Sequence, residues 1–181
     1  MRIKIGEKKI FSNSIKMLLD IDINTEELNA ITFDSRNVEK GDIFIALRGE
    51  KSDGHNFIQE CVERGASLII NEKIKADNIV EVKSSKKILS RLASLYRSQM
   101  NCTVIGITGS NGKTTTKELI AHILHGSYRT SFTRENYNST IGMPMSLFAI
   151  KKSDEIFIAE IGTNKKGEIK YLSDIAKPDM A

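Results

Sequence analysis

The sequence has 181 residues, of which 40% are hydrophobic and 28% charged, as is ordinary for a globular protein. The net charge of +4 comes from lysines scattered along the chain, and no basic cluster interleaved with aromatics is present, which argues against nucleic-acid binding. The N-terminal residues lack the apolar core of a signal peptide, and no apolar run approaches the length of a membrane span. We therefore predict a cytoplasmic protein without a membrane span that binds no nucleic acid.

Residues 1–83 show the pattern of a small α/β domain with short strands and one clear helix. A nearly all-apolar strand is typical of a strand buried on both faces. The helix is predicted to bury Cys61, and we expect free thiols because Cys61 and Cys102 lie far apart in sequence. In chain order the predicted elements are strands at Ile31–Phe33 and Ile43–Leu47, a helix that opens at Asp53 or His55 and ends at Gly65, and a strand at Leu68–Ile70.

The second predicted domain, residues 84–181, begins with a helix that Ser84 or Ser85 caps. From residue 103 strands and helices alternate, which is typical of an α/β domain with a mostly parallel sheet. We predict strands at Val104–Ile107, near Tyr128–Phe132 and at Ile156–Ile161, and helices after the loop that follows Ile107, after Gly142-Met143-Pro144 and from Gly167 to about Ala176. The first of these helices should carry Leu119, Ile120, Ile123 and Leu124 on one face, and Met180-Ala181 resembles the start of a further strand, cut off.

The most informative motif lies in residues 103–119, in the order strand, tight loop and helix. The strand is followed by the run Gly109-Ser110-Asn111-Gly112-Lys113-Thr114-Thr115. Glycines let the backbone turn sharply and approach a phosphate without a Cβ in the way. Successive backbone N–H groups and a helix N-terminus then surround a polyphosphate, with Lys113 reaching the β- and γ-phosphates and the Thr114 hydroxyl placed to bind Mg²⁺. The motif predicts a nucleoside triphosphate site in an incomplete P-loop-type domain.

The spacing departs from the common P-loop pattern, whose first glycine would fall at position 107, where this chain has Ile107. A glycine-rich β–α turn followed by a chance lysine is the alternative. Three consecutive threonines are poor helix formers, and their place at a helix N-terminus favours the phosphate-binding interpretation. The broken spacing and the absence of a guanine-reading N-K-x-D motif argue against a GTPase or a motor ATPase.

Three further side chains are candidates for this site. Glu160 lies at the carboxyl end of a predicted strand, where ligands gather in open α/β sheets, and a solvated strand-end carboxylate is the alternative. Asn136 and Asn138 lie in a turn before a helix, where they either orient a ligand or only make local turn hydrogen bonds.

Four blocks of the sequence resemble the Mur ligases, the cytoplasmic enzymes that add amino acids to the peptidoglycan precursor. The block Gly106–Glu118 resembles the ATP loop of that family, and residues 34–57, with the runs Asp34-Ser35-Arg36 and Asp53-Gly54-His55, resemble its UDP-muramoyl-binding domain. The blocks Asn136–Pro144 and Ala159–Ile169 are similar to segments of the member that acts on UDP-N-acetylmuramoyl-tripeptide and D-alanyl-D-alanine. The resemblance therefore covers most of the chain.

The resemblance implies a reaction in which ATP phosphorylates the terminal carboxylate of the tripeptide precursor and the amine of D-alanyl-D-alanine attacks the acyl phosphate. It implies catalytic roles for Lys113 and Glu160, and a shared Mg²⁺ site at Thr114 and Glu160. The residues implied to bind ATP are Gly109, Ser110, Asn111, Gly112, Lys113, Thr114, Thr115, Asn136 and Asn138.

In the first domain the resemblance implies a substrate site made by Ser35, Arg36, Asp53 and His55. An arginine fork that follows a strand suits the UDP diphosphate, and a solvated surface arginine is the alternative. Asp53 and His55 are candidates for contact with the nucleotide sugar, with a plain helix N-cap as the alternative role of Asp53.

Two departures from the family pattern limit this interpretation. Ser139 stands where the family has a second asparagine. The family's catalytic lysine, its Mg²⁺-binding histidine and its C-terminal domain lie beyond residue 181, so we expect an N-terminal portion that binds ligands weakly and turns over nothing. The alternatives are a sibling Mur ligase that adds a different amino acid and a non-catalytic fragment that binds nucleotide or UDP precursor. The full-length form is expected to be a monomer.

Overall fold

The computed structural model describes residues 1–50, 52–134, 137–163 and 165–181. The chain divides into two compact units, Met1–Leu89 and Ser90–Ala181. The division falls within helix α3, Ser85–Ser98, six residues after the boundary predicted at residue 83. Ser84 precedes this helix, and its hydroxyl accepts a hydrogen bond from the Lys87 N–H at 3.4 Å, as a helix cap does.

The first unit contains a mixed sheet with helical segments between its strands. Its elements are β1 Arg2–Lys4, α1 Lys8–Leu19, β2 Ala30–Thr32, a 3₁₀ helix at Ser35–Asn37, β3 Ile43–Ile45, a 3₁₀ helix at Gly54–Phe57, α2 Ile58–Glu63, β4 Leu68–Asn71 and β5 Ile79–Glu81. Within the described residues, five strands form the order β1-β2-β3-β4-β5. Strands β2 to β5 are parallel to their neighbours, and β1 is antiparallel to β2.

The middle of this sheet is its buried core. Every residue of β2, β3 and β4 is buried, as their near-continuous apolar sequences predict. Cys61 of α2 is fully buried in the cluster that contains Phe44 and Ile69, and both cysteines of the chain are free and buried. The predicted β-α-β unit is confirmed, because β3 and β4 are adjacent and parallel with α2 between them in sequence.

The expectation of a single helix in this region is wrong, since α1 is a second one. Its N-terminal residue Glu7 makes no side-chain cap hydrogen bond, and a Ser-Asn-Ser run interrupts its centre, so two ordinary helix signals are missing. The helix forms because Ile10, Phe11 and Ile15 pack into the core. Strands β1 and β5, also not predicted, have three residues each and carry little periodic signal.

The second unit is a parallel α/β unit. Its elements after α3 are β6 Thr103–Ile107, α4 Lys113–His125, β7 Thr130–Phe132, α5 Gly142–Leu147, β8 Ile156–Glu160 and α6 Glu168–Ala176. Strand β8 lies between β6 and β7 and is parallel to both. Met180 forms a parallel bridge with Ile105 on the other side of β6, as predicted for the start of a further strand. The predicted alternation is confirmed, and α5 begins at Gly142 itself.

The buried face of α4 differs from the predicted one. Lys117 and Ala121 are the buried residues of this helix, whereas Leu119 is 58% and Ile123 72% exposed. Ala121 packs with Ile107 and Ile158 of the sheet, and Ile120 is only partly buried. The apolar stripe read from the sequence is therefore wrong as a core face. Among the described residues, no helix combines the length and the apolar character that crossing a membrane requires.

Candidate functional site

The loop between β6 and α4 has the shape of a phosphate cradle. Gly109 and Gly112 have φ values of +151° and +76°, in the region that favours glycine. At Gly112 a Cβ would meet no heavy atom within 4 Å, so the backbone conformation alone requires glycine there. Lys113 bends back over the loop, and its Nζ donates a hydrogen bond to the Gly109 carbonyl at 2.6 Å.

The N-terminus of α4 presents open backbone donors to this loop. Gly112 is its N-cap and supplies no side-chain cap, and Ser110 and Asn111 are exposed beside it. The first N–H groups of a helix lack partners within the helix, and the helix dipole favours negative charge at this end. With the ammonium of Lys113 close by, the loop can receive an anionic group such as a phosphate. Thr115 lies exposed on the first turn of α4.

Glu160 brings two other predicted residues together. It is the last residue of β8 and only 2% exposed. The Thr114 hydroxyl donates to its Oε2 at 3.0 Å, and the Asn138 amide donates to its Oε1 at 2.7 Å. The Glu160 backbone N–H donates to the hydroxyl of Thr133 at 2.9 Å. The carboxylate is thus held at the strand end beside the phosphate-binding loop.

Lys117 is a site residue that the sequence analysis does not identify. It is 1% exposed, and its Nζ lies 3.6 Å from Oε2 of Glu160 and donates to the Thr133 carbonyl at 3.0 Å. Its Nζ also lies 5.6 Å from the centroid of the Phe132 ring. Lys117 is three residues after Thr114 in α4, a spacing that places both on one helix face, and this signal was available in the sequence.

The donor set at Glu160 fits a hard divalent cation. A carboxylate and a hydroxyl oxygen are ligands that Mg²⁺ accepts, and Mg²⁺ usually takes only one or two protein ligands besides phosphates and water. In the described part of the chain, no group of three or more His, Cys, Asp or Glu side chains is placed to enclose a metal ion. Thr114 and Glu160 would therefore hold Mg²⁺ together with a bound polyphosphate.

The segment before α5 is tied to the end of β8. The Gly162 N–H donates to the Asn138 carbonyl at 3.0 Å, next to the Asn138–Glu160 contact. Ser139 has a structural role, because its hydroxyl accepts a hydrogen bond from the Gly142 N–H at the start of α5. Asn136, the other predicted asparagine, lies outside the described residues.

In the first unit, the predicted substrate residues follow the carboxyl ends of β2 and β3. Arg36 is paired with Asp34 through two hydrogen bonds of 2.8 and 2.7 Å, and its side chain is 83% exposed. The Arg36 guanidinium lowers the pKa of the Asp34 carboxyl below its ordinary value. Ser35 is buried at the start of the 3₁₀ helix that Asp34 caps. Arg36 thus lies exposed just after the carboxyl end of β2.

Asp53 and His55 make contacts within the first unit that give both residues a structural role. Asp53 caps the 3₁₀ helix at Gly54–Phe57, and the His55 N–H that it accepts lowers the pKa of its carboxyl well below the usual range. The fully buried His55 ring contacts Asp53 through Nδ1 at 2.5 Å and accepts the Glu72 N–H through Nε2 at 3.1 Å. Both ring nitrogens are thus used within the protein, and the substrate role of these two residues stays a prediction.

Taken together, the strand–loop–helix arrangement and the adjacent carboxylate define an α/β unit whose loop has the geometry of an anion site. The Mur ligase middle domain matches residues 107–181, and the Mur ligase family, catalytic domain, matches residues 27–97. The chain belongs to the Mur ligase family.

Curated relatives agree with this assignment. The UDP-N-acetylmuramoyl-tripeptide–D-alanyl-D-alanine ligase of Bacillus subtilis is 36% identical over 159 residues, which is 85% of this chain and 35% of that protein. The ligase of the same name from Rickettsia prowazekii is 35% identical over 175 residues, 94% of this chain and 39% of that protein. The chain therefore spans between a third and two fifths of the length of these relatives.

Solved structures of Mur ligases are also similar to this chain. MurF from Acinetobacter baumannii superposes with a TM-score of 0.83 at 33% identity, covering 97% of this chain and 40% of that one. The MurF ligase of Thermotoga maritima, solved in complex with ADP, superposes with a TM-score of 0.78 at 38% identity, covering 82% of this chain and 35% of that one. The predicted α/β fold class is confirmed.

Proposed function

We propose that the protein to which this chain belongs is an ATP-dependent ligase that joins D-alanyl-D-alanine to UDP-N-acetylmuramoyl-tripeptide in peptidoglycan precursor synthesis. The observation that carries the proposal is the convergence of Thr114, Asn138 and Glu160 at the end of β8, beside the loop closed by Lys113. The names of the relatives at 35–36% identity supply the substrates. The cytoplasmic location and the monomeric state stay predictions.

The site supports phosphoryl transfer by positioning and charge neutralisation, which is most of what this chemistry needs. The loop amides and Lys113 would hold the β- and γ-phosphates of ATP. The tripeptide carboxylate oxygen attacks the γ-phosphorus, the bond to the β-phosphate oxygen breaks, and ADP leaves. The amine then attacks the acyl carbon of the acyl phosphate and loses a proton, and inorganic phosphate departs as the amide forms. Mg²⁺, when bound at Thr114 and Glu160, would neutralise phosphate charge.

We propose that the first unit recognises the UDP end of the precursor through Ser35 and Arg36. Support comes from the exposed guanidinium of Arg36, a group that recognises diphosphates as well as carboxylates. Its Nε and one terminal nitrogen now pair with Asp34, so a diphosphate would share or replace that pairing. Saturation-transfer NMR with UDP-N-acetylmuramoyl-tripeptide would test this unit. Arg36→Ala should lose the uridine signals, whereas Arg91→Ala, which removes an exposed arginine of α3, should keep them. Equal signals in both variants would refute the assignment.

For the 181 residues themselves, we propose nucleotide binding without complete ligation. The chain spans about two fifths of its relatives, and closure of a further domain over the site is expected to exclude water and complete the catalytic groups. An assay for ADP release that depends on D-alanyl-D-alanine measures this directly. Turnover near the 10 per second or so of an ordinary enzyme would contradict the proposal.

Calorimetric titration of Mg²⁺-ATP into the wild type and Lys113→Ala tests the nucleotide site. Removal of the ammonium should weaken binding at least a hundredfold and leave the thermal unfolding unchanged, since Lys113 is not buried. Lys170→Ala is the matched control, because Lys170 pairs with Asp174 on the exposed side of α6. Unchanged ATP affinity in Lys113→Ala would contradict the site assignment.

A further inference from the structure

The pair Lys117–Glu160 lies in the interior of the second unit, with both side chains at most 2% exposed. A lysine is almost never fully buried unless it is paired, because removing an ammonium from water is costly. Here the ammonium has a carboxylate oxygen at 3.6 Å and donates to a carbonyl at 3.0 Å, so its charge is paired inside the protein. The pair links α4 to the end of β8 within the site.

Lys117 and the Thr114 hydroxyl approach the same oxygen of Glu160. Thr114 donates to Oε2 at 3.0 Å, and the Lys117 ammonium lies 3.6 Å from that atom. Asn138 occupies the other oxygen, Oε1, at 2.7 Å. A cation that bound Glu160 would therefore have to share this carboxylate with a buried positive charge.

We propose that Lys117 is a positioning residue that supplies the resident countercharge of Glu160 and makes divalent-cation binding there depend on nucleotide. The inference rests on the proposed ATP site. Without nucleotide, the Lys117 ammonium already balances the charge of the Glu160 carboxylate, so a free divalent cation gains little there. A bound polyphosphate brings negative charge and further oxygen ligands, and the cation then binds between phosphate and carboxylate.

A single substitution can remove the charge of Lys117 and keep most of its side-chain volume. Methionine has a similar length and an apolar body, so Lys117→Met keeps most of the buried volume and deletes the ammonium. Thr114 and Asn138 would still hold the two carboxylate oxygens. The variant should therefore carry an uncompensated carboxylate that attracts a free divalent cation.

The test is Mn²⁺ binding to the 181-residue chain, followed by electron paramagnetic resonance of the free ion, with and without ADP. Wild type should bind Mn²⁺ at least tenfold more tightly with ADP than without it. Lys117→Met should bind Mn²⁺ at least tenfold more tightly than wild type when nucleotide is absent. Lys170→Met removes an exposed lysine of the same unit and should behave as wild type, which controls for the change in net charge.

The measured Mn²⁺ affinities either support or overturn the proposed role of Lys117. Equal or weaker nucleotide-free Mn²⁺ binding in Lys117→Met would overturn it, as would wild-type Mn²⁺ affinity that ADP leaves unchanged. If Lys117→Met does not fold, Lys117→Gln, whose amide can still donate to the Thr133 carbonyl, replaces it, and the wild-type comparison stands without either variant. A wild type that binds no ADP would overturn the proposed function as well, whereas ADP binding with an unaltered metal affinity in Lys117→Met would overturn this inference alone.

Discussion

Thr114 and Glu160, 46 residues apart in sequence, are joined by a hydrogen bond of 3.0 Å from the threonine hydroxyl to Oε2. The contact links the first turn of α4 to the end of β8 and so fixes the glycine-rich loop against the strand that lies between β6 and β7. Both groups are oxygen ligands suited to Mg²⁺. The spacing between the loop and the carboxylate is therefore set by contacts within the fold.

Thr114→Val should weaken the binding of Mg²⁺-ADP at least tenfold, because valine keeps the shape of threonine and removes the hydroxyl. Thr114→Ser should retain most of the affinity. Calorimetric titration measures both. Thr116→Val changes an exposed threonine two positions further along α4 and should have no effect on binding. Equal losses in the variants of Thr114 and Thr116 would mean that helix propensity, and not the hydroxyl, is responsible.

Gly162→Ala should disturb the site through Asn138. A Cβ at position 162 would lie 2.8 Å from Cγ of Asn138, whose amide is held by Glu160. We expect a loss of about 1–3 kcal/mol in the free energy of unfolding, as for other overpacked sites, together with weaker nucleotide binding. Urea unfolding and calorimetry measure the two effects.

Gly126→Ala is the matched control for that substitution. A Cβ at Gly126 would meet no heavy atom within 4 Å, and its φ of −75° is open to any residue. Alanine there should leave stability unchanged or slightly raised. A Gly162→Ala variant as stable as Gly126→Ala would show that Asn138 moves aside without cost.

His55→Ala should loosen the first unit locally. The substitution leaves the Glu72 N–H without its acceptor and opens a cavity at a fully buried ring. The loss of the acceptor alone should cost about 1–3 kcal/mol. Hydrogen exchange read by mass spectrometry should show lower protection in β3 and β4, with peptides of the second unit as the internal reference. His122→Ala removes an exposed histidine of α4 and should leave both units as they are.

The buried thiols should make stability fall at alkaline pH. Burial raises the pKa of Cys61 to about 12 and also raises that of Cys102. A thiol in the unfolded chain loses its proton from about pH 8.5, so the unfolded state binds fewer protons than the folded state and gains stability relative to it as the pH rises. The contribution of Cys61 should be fully present below about pH 8.5 and be lost progressively towards its folded pKa.

Unfolding midpoints between pH 8 and 10.5 for wild type and Cys61→Ala test this linkage. The variant should start less stable and lose less stability over the range, because one titrating thiol is gone. Native Cys61 should also react slowly with iodoacetamide, since the thiolate is the reactive form. Parallel pH curves for the two proteins would contradict the assignment.

The loop and its partner carboxylate could be predicted from the sequence because their signals are local. The glycines and Lys113 follow a strand directly, and Glu160 ends a strand whose apolar run is unmistakable. For Lys117 the sequence indicates only the helix face shared with Thr114, and not its burial. Its burial depends on Glu160, Thr133 and Phe132, which only the folded sheet brings to it, and a lysine in a helix is exposed by default.

The buried face of α4 could not be predicted from the sequence pattern either. Leu119 and Ile123 form an apolar stripe in the sequence, yet the helix buries Lys117 and Ala121, Lys117 beside Glu160 and Ala121 against Ile107 and Ile158. Helix α1 was not predicted because its local sequence signals are weak. Its N-terminus lacks a side-chain cap, and its formation depends on tertiary packing of Ile10, Phe11 and Ile15. The sequence pattern was sufficient to predict those elements whose structure depends mainly on contacts between residues close in sequence.

The attachment of Glu160 to three separate segments has a consequence for biosynthesis. The ribosome completes the loop and α4 well before β8, and contacts between residues far apart in sequence must wait for the chain between them to close. Until β8 emerges, Thr114 and Lys117 belong to a helix without its carboxylate partner, and the ammonium has no ion pair to accompany its burial. The nascent chain should thus acquire nucleotide affinity at the moment its central strand is inserted, and not when its glycine-rich loop is translated.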